Sequence, residues 1–259
     1  MSEPTLTERA QALGLYGLID HWDEIGNAPW VPELIAWEER TRGARSLERR
    51  LARARIGRIK PIADFDWTWP DEIERDLIDD LFRLDWCAKA MNIVLIGPNG
   101  VGKTMIGRNL VKAAVLAGAT ALCTTASDLL NSLAEVESTF RLRRRLLELA
   151  RPQVMLIDEI GYLSYDTRHA DLLYEVLSRR YETKPTIITT NKPFQQWGEV
   201  FPGAACVRTI IDRFIHRCEV VSIAGESYRL KESQETIKAR AATRAKRQTK
   251  RRVGDGEST

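Results

Sequence analysis

The chain has 259 residues, 44% of them apolar and 29% charged, which suits one or two folded domains with enough core to need no disulfide or metal staple. No run approaches the roughly 18 apolar residues of a membrane span, and the start MSEPTLTERAQA lacks the basic flank and apolar stretch of a secretion signal. The net charge of +3 hides two basic blocks: nine bases with one acid from Arg40 to Lys60, and nine bases with two acids from Lys231 to Arg252. The expectation is a cytoplasmic protein with no membrane contact, whose four scattered cysteines fit a reducing compartment. Segregated charge points to a polyanion, nucleic acid first of all; solvated helix faces and solubilising tails are the plainer explanation.

Residues 1–62 form the first expected domain, a helical one. Leu13, Leu15, Leu18, Ile19 and Trp22, then Leu34, Ile35 and Trp37, recur at helical spacing around a Gly26-to-Pro32 break. TRGARSLERRLARARIGRIK predicts a basic helix with Leu47, Leu51, Ala54 and Arg58 on one side; Arg49, Arg50 and Arg53 are candidate phosphate contacts. Six of the seven tryptophans fall within the first 86 residues and are expected to pack the core and hinge of this small domain, base stacking being the alternative. Residues 63–90 reverse the charge and predict an acidic linker with a short helix from Asp71.

From residue 91 to 232 strands and helices alternate. Apolar runs at 92–97, 120–125, 154–158, 186–190 and 219–223 predict a three-layer α/β domain with a mainly parallel five-stranded sheet. The tail 233–259, basic and almost without large apolar residues, is expected to be frayed or disordered.

The sharpest motif is Gly97-Pro98-Asn99-Gly100-Val101-Gly102-Lys103-Thr104, a full GxxxxGK[ST] match between a strand and a helix. Glycines let backbone N–H groups curl around phosphate oxygens, the helix N-terminus adds positive potential, Lys103 reaches the β- and γ-phosphates, and the Thr104 hydroxyl ligates Mg²⁺. In VMLIDE, Asp158 ends an apolar strand where it can hold Mg²⁺, and Glu159 can polarise the water that attacks the γ-phosphate. Asn191 ends the strand TIITT and can hold that water or sense the γ-phosphate, although Asn is also common turn chemistry. Arg213 in TIIDRF can complete a neighbouring subunit's site as an arginine finger, or can simply pair with Asp212 or Glu219.

Taken together, GPNGVGKT, VMLIDEIGYLSYDTRHADLLYEVLSRRYE, TIITTNKPFQQWGEVF, TIIDRF and GESYRLK resemble the IstB-type helper ATPases of insertion sequences, AAA+ proteins related to DnaC-type helicase loaders. The resemblance spans roughly residues 5–232. It implies ATP and Mg²⁺ at Lys103, Thr104 and Asp158, hydrolysis by Glu159, a first sensor at Asn191 and a trans finger at Arg213. Arg229 falls in GESYR without a derivable role. Too few residues follow the last strand for the four-helix lid of many AAA+ proteins, so a lid is expected to be absent or minimal. The resemblance also implies a homo-oligomer, ring or helical, on duplex DNA that assists a transposase; the alternative is a DnaC-like loader acting on single-stranded DNA. In initiator-type relatives an extra helix faces DNA between the second and third of these strands. Here that region carries Arg141, Arg143, Arg144 and Arg145. A small-substrate P-loop kinase and a static nucleotide-sensing scaffold are the readings from other classes.

Overall fold

The computed structural model describes residues 3–234, 236 and 237, so most of the expected tail 233–259 lies outside the described residues. The chain divides into two units, Met1–Arg53 and Ala54–Thr259. In the first, Thr5 and Glu8 close a reciprocal capping box that starts α1 (Leu6–Ala12). The short helices α2 (Tyr16–Asp20) and α3 (Trp22–Ile25) lead to α4 (Trp30–Ala54). Ala10, Val31 and Ile35 are fully buried, with Leu6, Leu13, Leu18, Ile19 and Trp22 packed around them. Arg9 grips both carboxylate oxygens of Glu39, at 2.9 and 2.7 Å.

Two expectations change here. The basic stretch is no separate helix, because α4 begins at Trp30, tolerates Pro32 in its first turn and runs through Gly43. It stops at Ala54; Arg55 and Gly57 take φ of 52° and 73°, so Arg58 lies off the helix. Arg49 and Arg53 are exposed on its last turns, and half-buried Arg50 donates to Ser46 Oγ at 2.8 Å. Nor are the tryptophans uniformly core: Trp86 is buried, whereas Trp30 and Trp37 are 49% and 55% exposed.

The second unit is built on a sheet of six strands: β1 (Glu72–Ile73), β2 (Asn92–Ile96), β3 (Ala121–Thr125), β4 (Val154–Ile160), β5 (Thr186–Thr190) and β6 (Cys218–Ala224). Their order is β1-β6-β2-β5-β4-β3. All five expected strands are present and parallel. The sixth, β1, pairs antiparallel with β6 through Glu72↔Ala224 and Ile73↔Ile223, which corrects both the five-stranded sheet and the helix from Asp71. The outer edge of β6 carries backbone groups that need partners, and β1 supplies them before α5 (Arg75–Leu81) and α6 (Asp85–Ala88) begin.

Helices cover both faces of the sheet. On one side α7 (Lys103–Leu116) packs closely enough that Gly107 faces Leu95 and Leu156. On the other, Val94, Met155, Ile157 and Ile188 meet α8 (Ala126–Ala134), α9 (Thr139–Ala150), α10 (Thr167–Arg180), α11 (Trp197–Val200) and α12 (Val207–Ile215). Alternation along β4, with 155 and 157 facing one layer and 156 the other, makes its buried run apolar throughout. No helix among the described residues is long and apolar enough to cross a membrane.

Arg180, at the end of α10, is only 1% exposed and meets no carboxylate among the described residues. Its guanidinium donates instead to Thr186 Oγ1 and to the carbonyls of Pro152, Gln153 and Pro185, at 2.6–3.2 Å. Burial pushes its pKa down from 12.5 to about 10, so it stays charged at neutral pH. The bonds tie the last turn of α10 to the starts of β4 and β5. Arg180→Ala leaves those acceptors unpaired and should cost about 3 kcal/mol, read as a lower urea midpoint at unchanged slope.

Candidate functional site

The phosphate-loop motif occupies the turn from β2 into α7. Gly102, with φ of 98°, is the N-cap residue of α7 and offers no side-chain cap, so the first-turn N–H groups open towards the cleft. Pro98 and Asn99 are exposed on the loop, and Val101 is buried beneath it. The Lys103 ammonium folds into the loop and donates to the carbonyls of Gly97 and Pro98, both at 2.7 Å. Burial pulls its pKa down from 10.5 to about 8 against the opposing pull of Asp158. A phosphate oxyanion beside it would return the electrostatic stabilisation that burial removes.

Three strand ends meet at this loop. Ile96 of β2 pairs with Thr190 of β5, and Thr190 pairs with Ile160 of β4, so Gly97, Asn191 and Gly161 follow at one level. Asp158 is 2% exposed; its Oδ1 accepts from Thr104 Oγ1 at 2.9 Å and from Thr189 Oγ1, and Arg108 lies 3.5 Å from its Oδ2. Thr104 and Asp158 therefore place two hard oxygen donors together, the chemistry Mg²⁺ takes.

Glu159 departs from ordinary strand geometry. The register between β4 and β5 shifts between Ile157 and Ile160, and Glu159 takes φ of 67° in the bulge. Its N–H donates to Thr189 Oγ1 at 2.9 Å, which holds the bulge in place. The strand expected to end at 158 thus continues to Ile160, and the kink re-aims one carboxylate. Asn191 follows β5 at the level of Gly161, and its Oδ1 is buried with no hydrogen-bond partner among the described residues. A Cβ on Gly161, itself at φ of 97°, would come within 2.8 Å of that oxygen, so glycine is what lets the chain pass. An orphaned acceptor at the same group of strand ends as Asp158 suits a polarised water, and the uncapped helix end suits phosphate; the residues present fit a Mg²⁺–triphosphate.

Two parts of the site were not legible in the motifs. Arg229 lines the same cavity as Gly100, Lys103 and Tyr162, brought there by GESYR. The Tyr228 N–H donates to the Gly100 carbonyl at 3.1 Å, and a Cβ on Gly100 would lie 2.1 Å from Ser227 Oγ. The second part is the linker: Phe65 packs over Gly102, and Trp69 and Pro70 form an apolar rim with Tyr228. Lys231 sits 4.2 Å from the Trp69 ring and 3.3 Å from Asp66, clipping linker and C-terminal segment together. The aromatic-acid pattern ADFDW was the available signal.

Arg213 is elsewhere. It lies on α12, against the end of α10 that is tied to the starts of β4 and β5. Its Nη1 donates to Ser178 Oγ at 2.8 Å, and its guanidinium lies 5.0 Å from the Tyr174 ring and 5.8 Å from that of Tyr181. Among the described residues neither Asp212 nor Glu219 pairs with it. On α9, Arg141, Arg143 and Arg144 are exposed and Arg145 is half-buried.

Comparison with known proteins agrees with this geometry. An ATP-binding protein of insertion sequence IS21 from Pseudomonas aeruginosa is 38% identical over 193 residues, 74% of this chain and 73% of the relative. One from IS5376 of Geobacillus stearothermophilus is 31% identical, covering 89% and 91%. Among solved structures, DnaI matches with a TM-score of 0.55 at 19% identity over 65% of this chain and 93% of its own. A DnaA initiator bound to AMPPCP and single-stranded DNA matches at 0.51 and 17%, over 68% and 56%. These structural likenesses show a shared fold. The model of the IstB-like ATP binding protein family matches residues 6–236. With nearly the whole sequence inside that match, and its phosphate loop, buried Asp158 and bulged Glu159 gathered at the ends of the central strands, the chain belongs to the IstB-like ATP-binding proteins of insertion sequences.

Proposed function

We propose that this protein is a Mg²⁺-dependent ATPase that assembles on duplex DNA and helps the transposase of its own element engage a target. The observation that carries the reading is the division of one catalytic set between two places: Lys103, Thr104, Asp158, Glu159 and Asn191 converge at the C-terminal ends of the strands, while Arg213 bonds Ser178 near the end of α10 that is tied to the starts of β4 and β5. Held at the opposite ends of these strands from that set, Arg213 is read as serving the site of the next copy rather than its own.

Within one protomer, the loop N–H groups and Lys103 would hold the phosphates, and Thr104 and Asp158 would hold the metal. Mg²⁺ supplies charge neutralisation on the phosphates. Glu159 takes a proton from the attacking water while the Asn191 amide orients it. Arg229 reaches the phosphates from the same chain, and Arg213 arrives from the neighbour to offset charge as the bond to the leaving phosphate loosens.

The arginines of α9 are the candidate DNA contacts. Phosphate contacts make binding steep in salt and nearly indifferent to sequence. Arg143→Ala, Arg144→Ala and Arg145→Ala combined should flatten the log–log salt dependence by about 3 units; an unchanged slope would remove α9 from the interface. The assembly itself is tested by electron microscopy of the protein on duplex and on single-stranded DNA, with and without a slowly hydrolysed ATP analogue. Ordered multimers on duplex with the analogue are expected. Preference for the single strand would favour helicase loading instead, and free subunits throughout would remove the mechanism.

A further inference from the structure

Helix α9 has two unlike faces. Leu146 and Leu149 are buried and Leu142 half-buried in the core beneath. On the opposite side Phe140, Arg143, Arg144 and Leu147 follow at i, i+3, i+4 and i+7, one continuous stripe. Phe140 is 77% exposed, the most open of the large apolar side chains among the described residues, and Leu147 is 55% exposed. Ser138 caps this helix start, so the ring stands on an ordered turn rather than a frayed one. The helix has a single acid, Glu148, which is engaged by Arg144 and Arg145 at 3.2 and 3.3 Å.

An apolar ring on a cationic stripe narrows the choice of partner. Burial in an apolar protein groove would desolvate the guanidiniums along with the ring, at high cost. Duplex DNA accommodates both, offering phosphates to the cations and the faces of stacked bases to an aromatic side chain. We propose that Phe140 is a wedge that enters a base step of bound duplex DNA, with Arg143 and Arg144 on the flanking phosphates. The inference rests on the DNA reading above and adds to it a contact that is not electrostatic.

The two parts separate experimentally because a phenyl ring displaces no counterions. Full-length protein with an ATP analogue is titrated with fluorescent duplex DNA across a salt series. Phe140→Ala should weaken binding about tenfold at every salt concentration, at the wild-type slope, and Phe140→Trp should restore it. 2-Aminopurine placed in the duplex should brighten with wild type and stay dim with Phe140→Ala. Unchanged affinity and fluorescence in Phe140→Ala, with a steep wild-type salt slope, would overturn the wedge and leave the phosphate contacts standing. No salt-dependent duplex binding by wild type would sink both. Loss of binding to phosphatidylserine vesicles by Phe140→Ala, with DNA binding unaffected, would assign the face to a membrane and overturn the proposal.

Discussion

Glu159→Gln should leave ATP bound and all but stop its turnover. The amide is isosteric, and the backbone that fixes the bulge is untouched, since the hydrogen bond to Thr189 comes from the Glu159 N–H and not from its side chain. What disappears is the ability to accept a proton from water, and general-base contributions of this kind are worth roughly 10²–10⁴ in rate. Phosphate release under saturating ATP, set against affinity for a fluorescent nucleotide, separates the two effects. A variant that kept half of the wild-type rate would take the base role from Glu159. If hydrolysis resets the assembly, the same variant should also remain on DNA longer than wild type.

Arg213→Ala should lose turnover by about a thousandfold while binding ATP as wild type does. The side chain sits on α12 against Tyr174, Tyr181 and Ser178, and removing it exposes no buried charge, so the fold should survive. Arg213→Lys should rescue little, because an ammonium lacks the planar fork. The decisive arm is mixing. Arg213→Ala and Glu159→Gln are each inactive alone, yet in a mixed head-to-tail assembly about one interface in four joins an intact Glu159 to an intact Arg213. Recovery of turnover on mixing is expected. Two inactive proteins that stay inactive together, despite co-assembling, would mean that Arg213 acts within its own chain or not at all.

The nucleotide loop and Asp158 were legible because their chemistry is local: a strand, a glycine-rich turn and a helix occupy adjacent residues. Asn191 was legible only by order, and its orphaned oxygen became visible once β5 stood between β2 and β4. Other features depend on partners far along the chain. The Glu159 bulge arises from register against β5, β1 exists because β6 has an edge to cover, and Arg229 reaches the loop through a contact between Ser227 and Gly100. Periodicity also misread Trp37 as a core residue, for helical spacing identifies a stripe without saying what covers it.

Arg180 gives α10 a fixed far end. That helix is 14 residues long, about 20 Å, and begins just past the loop that follows β4, the strand carrying Glu159. Its last turn is pinned to the sheet by the carbonyls of Pro152 and Gln153 before β4 and of Pro185 before β5, which resist sliding along its own axis. Any push delivered at the near end must then emerge as a tilt about that pivot, swinging the Tyr174 and Ser178 seat of Arg213. If neighbours share a nucleotide as proposed, such a lever would let the state of one cavity set the reach of the cation offered to the next.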